Sequence, residues 1–571
     1  MPRPNSVAEI DFTPQHKPFP SPRDWRDQFI YQLLIDRFDD TKDYPPYDTN
    51  TAKRGRDRDS AGVFQGGKIK GITRRLDYIK GLGCTALWMS PPFKCRQDDP
   101  GSYHGYGIQD FLDVDPRIGT IEDLQNLVRE AHQRDMRVVL DIVINHTADV
   151  FRYTENDTPF KIDKRYDFKE WHKISKGKDL GPDDAIWPVE LQDPDAFHRH
   201  GSITNLTGAG PEEAILGDFF SLKDLDLHNP KVMDALIKVF KYWIAIADID
   251  GYRIDTVRNV EPAACAVFVN AIHEYAKKIG KDNFIIFGEI VGNDDLLHKY
   301  IGGNTPVPGT DEWYPRLDAA LDFPLYAVLE EVIKGMHAPE ALWKRYEYFR
   351  KFFRNFGEAG QYYVTFLDNH DQGHRPFRRF MNNVKDDRVA VLGIGYVLCN
   401  LGIPCIYYGT EQGFDGGGDS DVFVRETMFG GKWGAFDTTG YQFFNDRNPI
   451  YRQIAKIAKA RASEPALRYG RQYFRDISGD GEHYGCPTTG QATLAFSRVL
   501  DTDEILVVMN LDTKDRNDWV MVEWNLTRPG TKLIDLLGNV GELEVKEAKP
   551  GGASVRIPLK GRQLAILRAK K

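Results

Sequence analysis

A (β/α)8 barrel, interrupted after its third strand by an inserted domain and followed by an antiparallel β-sandwich, is the fold this sequence predicts. Eight apolar runs of strand length alternate with helix-period segments between residues 29 and 409. The gap at 148 to 228 is rich in Asp, Lys, Gly and aromatics and is too long for a structureless loop. From about residue 470 the pattern changes to short alternating strands without helices.

The predicted barrel strands are FIYQLLI at 29 to 35, CTALWM at 84 to 89, RVVLDIVI at 137 to 144 and DGYRID at 250 to 255. NFIIFGE at 283 to 289, AALDFPL at 319 to 325, YYVTFLD at 362 to 368 and IPCIYYG at 403 to 409 complete the set. Between them, 121 to 135 and 230 to 247 repeat apolar residues at helical spacing. The run at 389 to 409 is long enough to raise the question of a membrane span, but Asn400, Gly402 and Pro404 divide it into a helix and a buried strand. The polar loop at 40 to 62 reads as a flexible surface excursion. The division expected is a barrel of 1–147 and 229–469, an insert of 148–228 and a C-terminal sandwich of 470–571. ATLAFSRV, EILVVMNL, WVMVEWNL, ELEVKEA and ASVRIPL are the expected sandwich strands.

The composition bounds the function. A chain of 571 residues with 41% hydrophobic and 28% charged residues is a multidomain globular protein, and a net charge of −9 argues against a nucleic-acid partner. The polar, proline-rich start has no apolar h-region, so a cytoplasmic location is the expectation. Six scattered cysteines show no zinc spacing and are expected as free, mostly buried thiols. There is no HExxH or other compact metal-ligand motif.

Four islands carry chemistry where the barrel strands would end: DIVINH at 141 to 146, GYRID at 251 to 255, FGE at 287 to 289 and FLDNHD at 366 to 371. Arg253 and Asp255 are two apart on a strand and share a face, so the guanidinium is expected to lower the carboxyl pKa of Asp255, as a nucleophile requires. The plain alternative is a structural ion pair inside a barrel. Glu289 ends an apolar strand, where a carboxyl holds its proton more tightly and suits a general acid. Asp371 is expected at the end of the seventh strand after His370, with Asp368 turned elsewhere. A third carboxylate beside two others needs compensating positive charge, which an oxocarbenium-like transition state supplies. His104 and His146 offer hydrogen bonds to sugar hydroxyls and Tyr106 a face for a pyranose ring, although a lone histidine is more often structural.

Taken with IYQLLIDRF, FQGG at 64 to 67, HGY at 104 to 106 and YYGTEQG at 407 to 413, these islands resemble the α-amylase family, glycoside hydrolase family 13. The resemblance implies a retaining α-glucosidase or α-amylase-type enzyme cleaving α-glucosidic bonds through a covalent intermediate. Its partner would be an α-glucan or malto-oligosaccharide, with no nucleic acid and no membrane. By motif, Asp255 resembles the nucleophile, Glu289 the acid/base and Asp371 the transition-state stabiliser, with His104, Tyr106, His146, Arg253 and His370 around the sugar. No cofactor is implied for the chemistry. A structural Ca²⁺ is implied at Asn145 and an aspartate of LKDLDLHNP, matched as Asp226 with Asp224 as the alternative. Many members carry Lys-His shortly after the nucleophile where this chain has Arg258 and Asn259, which bears on the acceptor side and on one backbone ligand of that calcium. Thr256 resembles α-1,4-acting more than α-1,6-acting members. Two other readings fit the same residues: a transglycosylase or glucosyl isomerase, and a non-catalytic carbohydrate-binding relative.

Overall fold

The computed structural model describes residues 3–48, 57–204, 209–301, 317–352, 358–371, 377–548 and 551–570. Eight parallel strands close into a barrel: β1 (Ile30–Leu33), β2 (Ala86–Met89), β3 (Arg137–Ile142), β4 (Gly251–Ile254), β5 (Ile285–Gly288), β6 (Ala319–Leu321), β7 (Tyr363–Thr365) and β8 (Ile403–Tyr407). All eight predicted strands are present. All are shorter than their apolar runs, the sixth and seventh most of all. The sixth ends at Leu321 because Asp322 caps a helix, its side chain accepting from Leu325 N. The seventh ends at Thr365, so 366 to 371 is loop and Asp371 lies beyond the strand.

The helices follow the sequence closely. α1 (Ile121–Gln133) starts at a capping box in which Thr120 and Asp123 satisfy each other's backbone N–H, and its apolar face buries Leu124, Leu127, Val128 and Ala131. α2 (Pro230–Ala247) begins with Asn229 as cap and Pro at its first position. α3 is Pro262–Lys278 and α4 is Arg388–Cys399, the latter followed by β8 as the Asn400, Gly402 and Pro404 breaks predict. No described helix is long and apolar enough to cross a membrane.

Apolar side chains on the inner barrel face, among them Ile30, Trp88, Val139, Phe287, Leu321 and Ile403, fill the interior. The larger core lies between barrel and helices. Within residues 148 to 228 the described structure is irregular, with paired segments Phe151–Tyr153 and Phe168–Trp171 and a short helix Pro211–Leu216. Strand His146–Thr147 pairs Lys223–Asp224 and ties the two ends of this stretch together.

Beyond residue 470 two antiparallel sheets, of six and four strands, enclose a separate apolar core. ELEVKEA is not one strand: Leu543–Glu544 and Lys546–Glu547 belong to different sheets. Leu564–Ala569, unassigned by sequence, sits inside the larger sheet. The described ends of the 40 to 62 loop are packed rather than free: Tyr47 lies on Phe436 with centroids 5.1 Å apart, and Arg37 donates to the carbonyl of Ala61 at 2.9 Å. Residues 49–56 of that loop lie outside the described residues. All six cysteines are free, five of them buried.

Candidate active site

The registers of β3, β4 and β5 build the site in layers. Arg253 stands beside Asp141 on one side and Phe287 on the other. With a two-residue repeat, Asp255 and Glu289 then emerge on the same inner face one step higher, at the barrel mouth. Gly288 permits this closeness, since a Cβ there would come within 2.6 Å of Leu317 and 2.9 Å of Val257.

Fully buried Arg253 organises the charges. Its Nη1 donates to Asp141 Oδ1 at 2.8 Å and to Asp255 Oδ1 at 2.8 Å. Its Nη2 lies 2.7 Å from Glu289 Oε2, an ion pair without an aligned hydrogen bond. Burial, with Asp141 and Asp371 adding to it, pushes Asp255 up to about 6 and outweighs the pull of Arg253. The expectation that the guanidinium would hold this pKa low is therefore corrected: it acts in that direction, but desolvation wins. Glu289 rises to about 7, again by burial first, with Arg253 opposing and Asp255 and Asp371 adding. That is the direction the apolar strand predicts.

Glu289 Oε2 also accepts from Thr256 N at 3.2 Å. Thr256 holds φ 43° and ψ 42°, a costly conformation for a β-branched residue, at the turn that aims this N–H.

Asp371 is a third exposed and faces the cleft. Burial raises its pKa, yet His370 and then Arg425 hold it well below the usual carboxylate range. His370 Nε2 lies 2.8 Å from its Oδ2, and Arg425 Nη2 donates to its Oδ1 at 2.7 Å. Asn369 orients the loop by accepting from Asp371 N at 2.7 Å. Asp368 is turned away, as expected, and accepts from Phe380 N and Thr410 Oγ1.

The aromatic wall is assembled from the predicted residues. Tyr106 hydroxyl lies 3.0 Å from Asp141 Oδ2 and 2.8 Å from His370 Nε2. Its ring is 5.5 Å from that of His370 and nearly parallel to it. Gly105, at φ 88°, makes the turn between His104 and Tyr106, and a Cβ there would lie 2.3 Å from the Pro91 carbonyl. His104 Nδ1 accepts from Tyr106 N at 3.1 Å. Burial holds both histidines neutral, His104 down to about 3 and His146 down to about 4. His146 stacks on Phe219 from the insert, 5.7 Å away.

Sequence reasoning missed Asp141 and Arg425. Asp141 carried a signal, a carboxylate in the interior of the apolar run RVVLDIVI that must find a partner once buried. Arg425, 54 residues from Asp371, had no spacing to mark it.

Of the residues expected to hold calcium, Asn145 meets Asp224, the alternative, and not Asp226. Asn145 Nδ2 donates to Asp224 Oδ1 at 3.1 Å, while Asp226 is held by His198 Nε2 at 3.2 Å. His198 Nδ1 takes the other Asp224 oxygen at 2.5 Å. Ca²⁺ needs six to eight oxygen ligands. Here both oxygens of Asp224 face nitrogen groups and an imidazole separates the two aspartates, so the residues do not fit that ion. Asn259, at the position of the expected backbone ligand, donates through its side chain to the Ala214 carbonyl at 2.8 Å and thereby fastens the insert.

A family model described as "Alpha amylase, catalytic domain" matches residues 32–470. An α-amylase of Streptomyces lividans is 34% identical over 80% of this chain and 53% of its own length. A cyclomaltodextrin glucanotransferase of Bacillus sp. strain 17-1 is 28% identical over 79% of this chain and 56% of its own. The chain thus spans about half the length of these curated relatives. Among solved structures, an α-amylase from Geobacillus thermoleovorans complexed with acarbose superposes with a TM-score of 0.68 at 25% identity, covering 96% of this chain and all of that one.

Proposed function

The chain belongs to the α-amylase family, and on that premise we propose that it is a retaining glycoside hydrolase acting on α-1,4-linked glucose oligomers or polymers. The observation that carries this reading is the single guanidinium of Arg253 gripping both Asp255 and Glu289. Carboxyl groups on the two arms of one guanidinium have a separation of the order that retention uses, about 5 to 5.5 Å.

In the first step an Asp255 oxygen bonds to the anomeric carbon as its bond to the leaving oxygen breaks, and Glu289 gives that oxygen its proton. In the second, Glu289 takes a proton from water, whose oxygen bonds to the anomeric carbon and frees Asp255. The raised pKa of Glu289 suits the acid, and the lower one of Asp255 leaves it mostly ionised near neutrality. Asp371, kept anionic by His370 and Arg425, faces the cationic sugar ring. Tyr106 offers its ring face to the pyranose and His104 and His146 offer ring nitrogens to its hydroxyls, while His370, its nitrogens held by Gln32, Tyr106 and Asp371, fixes Tyr106 and Asp371 around the sugar. No step passes through a metal ion. The insert, assigned to 148–228, adds Phe219 behind His146.

The test is Asp255→Asn, for which turnover of malto-oligosaccharides is expected to fall by about 10⁴-fold or more with binding retained; turnover near that of the parent refutes the assignment. A second reading is favoured by the glucanotransferase relative: the same glycosyl intermediate passes to a sugar hydroxyl instead of water. Longer or rearranged sugars appearing before glucose would establish it.

A further inference from the structure

Beside the barrel, where the insert returns to it, His198, Asp226 and His228 bring three ligand atoms within 4.8 Å of one another. His198 Nε2 lies 3.2 Å and His228 Nδ1 3.8 Å from the same oxygen, Asp226 Oδ1. Nitrogen and oxygen ligands about 2.0 to 2.1 Å from a tetrahedral ion stand roughly 3.3 Å apart, close to the spacing already present.

The second nitrogen of each imidazole is also held by a carboxylate. His198 Nδ1 is 2.5 Å from buried Asp224 Oδ2, and His228 Nε2 pairs with Glu261. This is how metal-binding histidines are fixed in one tautomer and made better donors. It leaves His198 Nε2 and His228 Nδ1, the two atoms nearest Asp226, as the ligating pair.

We propose that His198, Asp226 and His228 bind a divalent transition-metal ion of the Zn²⁺ class, with water in the fourth position. Two nitrogen donors and one carboxylate select such an ion over Ca²⁺. The site opens on a depression of about 440 Å³ that also contains Asp195 and His200, so ion and water have access. Arg165 lines the same depression but is paired to Asp195 at 3.2 Å. The ion takes the place of any proton on His198 Nε2, and the Nδ1 proton stays with Asp224. Asp226 and His228 precede α2 and Glu261 caps α3, so the bound ion clamps the insert to two barrel helices.

Chelator-stripped full-length protein titrated with ZnCl₂ in a calorimeter tests this. One Zn²⁺ per chain is expected, with no corresponding heat from CaCl₂. His228→Ala is expected to weaken binding by more than tenfold, and Glu261→Gln, which removes only a supporting carboxylate, by about ten- to hundredfold. His228 is 61% exposed, so its loss leaves the fold intact. Zn²⁺ at about 100 times its Kd is expected to raise the unfolding midpoint by about 2 °C in the parent and not in His228→Ala. Co²⁺ at the site should show the visible absorption of a four-coordinate ion. Absence of saturable Zn²⁺ binding, or binding whose affinity is the same in His228→Ala, overturns the proposal. Zn²⁺ that a malto-oligosaccharide displaces from both proteins sits in the carboxylate cleft and overturns it equally.

Discussion

Replacing Glu289 by Gln separates the two proton states on which the proposed reaction depends. Asp255 must be ionised and Glu289 protonated, and their pKa values are pushed up to about 6 and about 7. Activity (kcat/KM) therefore rises as pH passes about 6, when Asp255 loses its proton, and falls as pH passes about 7, when Glu289 loses its own. Because both share Arg253, the two limbs belong to the pair. The competent fraction peaks near pH 6.5 at about 0.6 and is about sevenfold lower at pH 5 or pH 8. In Glu289→Gln the side chain keeps its shape and can still accept from Thr256 N, but nothing remains to lose a proton on the alkaline side. The alkaline limb should vanish and the acid limb persist. Turnover of malto-oligosaccharides should fall by about 10² to 10⁴. An aryl α-glycoside, whose leaving group departs without a proton, should lose far less in the first step. Initial rates on both substrates between about pH 5 and pH 8 are the assay. An alkaline limb with the same midpoint in the variant would show that Glu289 is not the group responsible.

Two further outcomes follow from the buried charges. Arg253→Met strands Asp141, Asp255 and Glu289 without their common cation, and denaturant unfolding should show a loss of about 3 to 5 kcal/mol. Without the guanidinium the folded-state carboxyl pKa values rise further above the unfolded ones, so the deficit should be small below about pH 4 and grow as pH rises through the folded values; a loss under about 1 kcal/mol at neutral pH would refute the ion-pair account. Arg425→Met removes a charged hydrogen bond from Asp371, and kcat should fall by about ten- to hundredfold with KM changing less. Equal kcat in the two proteins would remove Asp371 from the cation-stabilising role.

Much of the fold was legible because barrel strands are buried on both faces and read as continuous apolar runs. The errors fall where a local competitor intervenes. In AALDFPL the Asp-Phe-Pro sequence is both apolar enough for a strand and an N-cap followed by proline, and the cap prevails. The sandwich segment 542 to 548 looks like one strand because alternation says nothing about which sheet each half joins. In the site, Arg253, Asp255 and Glu289 converge because each sits on or just after an inner-face strand position, which a two-residue repeat reveals, whereas His104, Tyr106 and His370 come from the turns and loops beyond the strands and were marked by their motifs. Arg425 reaches Asp371 from a distant loop, and no periodicity encodes such a contact. The match to Asp226 gave way to Asp224 for a related reason: Asn145 and the aspartates were visible, whereas His198, which separates Asp224 from Asp226, lies 26 residues from the first of them.

The charge count in the cleft connects these observations. Four carboxyl groups, Asp141, Asp255, Glu289 and Asp371, converge there with two guanidinium groups, Arg253 and Arg425, and Asp421 at the rim takes a share of Arg425. With all four ionised the inner set carries two uncompensated negative charges in a largely buried volume. Two such charges about 4 Å apart repel by about 4 kcal/mol at the screening typical of partly buried sites, so one carboxyl should keep its proton. Asp141 has both its oxygens on Arg253, and Trp88 Nε1 donates to one of them. Asp371 holds His370 and Arg425, and Asp255 holds an aligned bond from Arg253. Glu289, whose contact with Arg253 is unaligned and whose other partner is a backbone N–H, is the group on which the proton falls. The general acid is thus selected by the same burial that builds the site. Protonating it leaves one net negative charge facing the anomeric carbon, which is the complement of an oxocarbenium-like transition state and not of a neutral sugar.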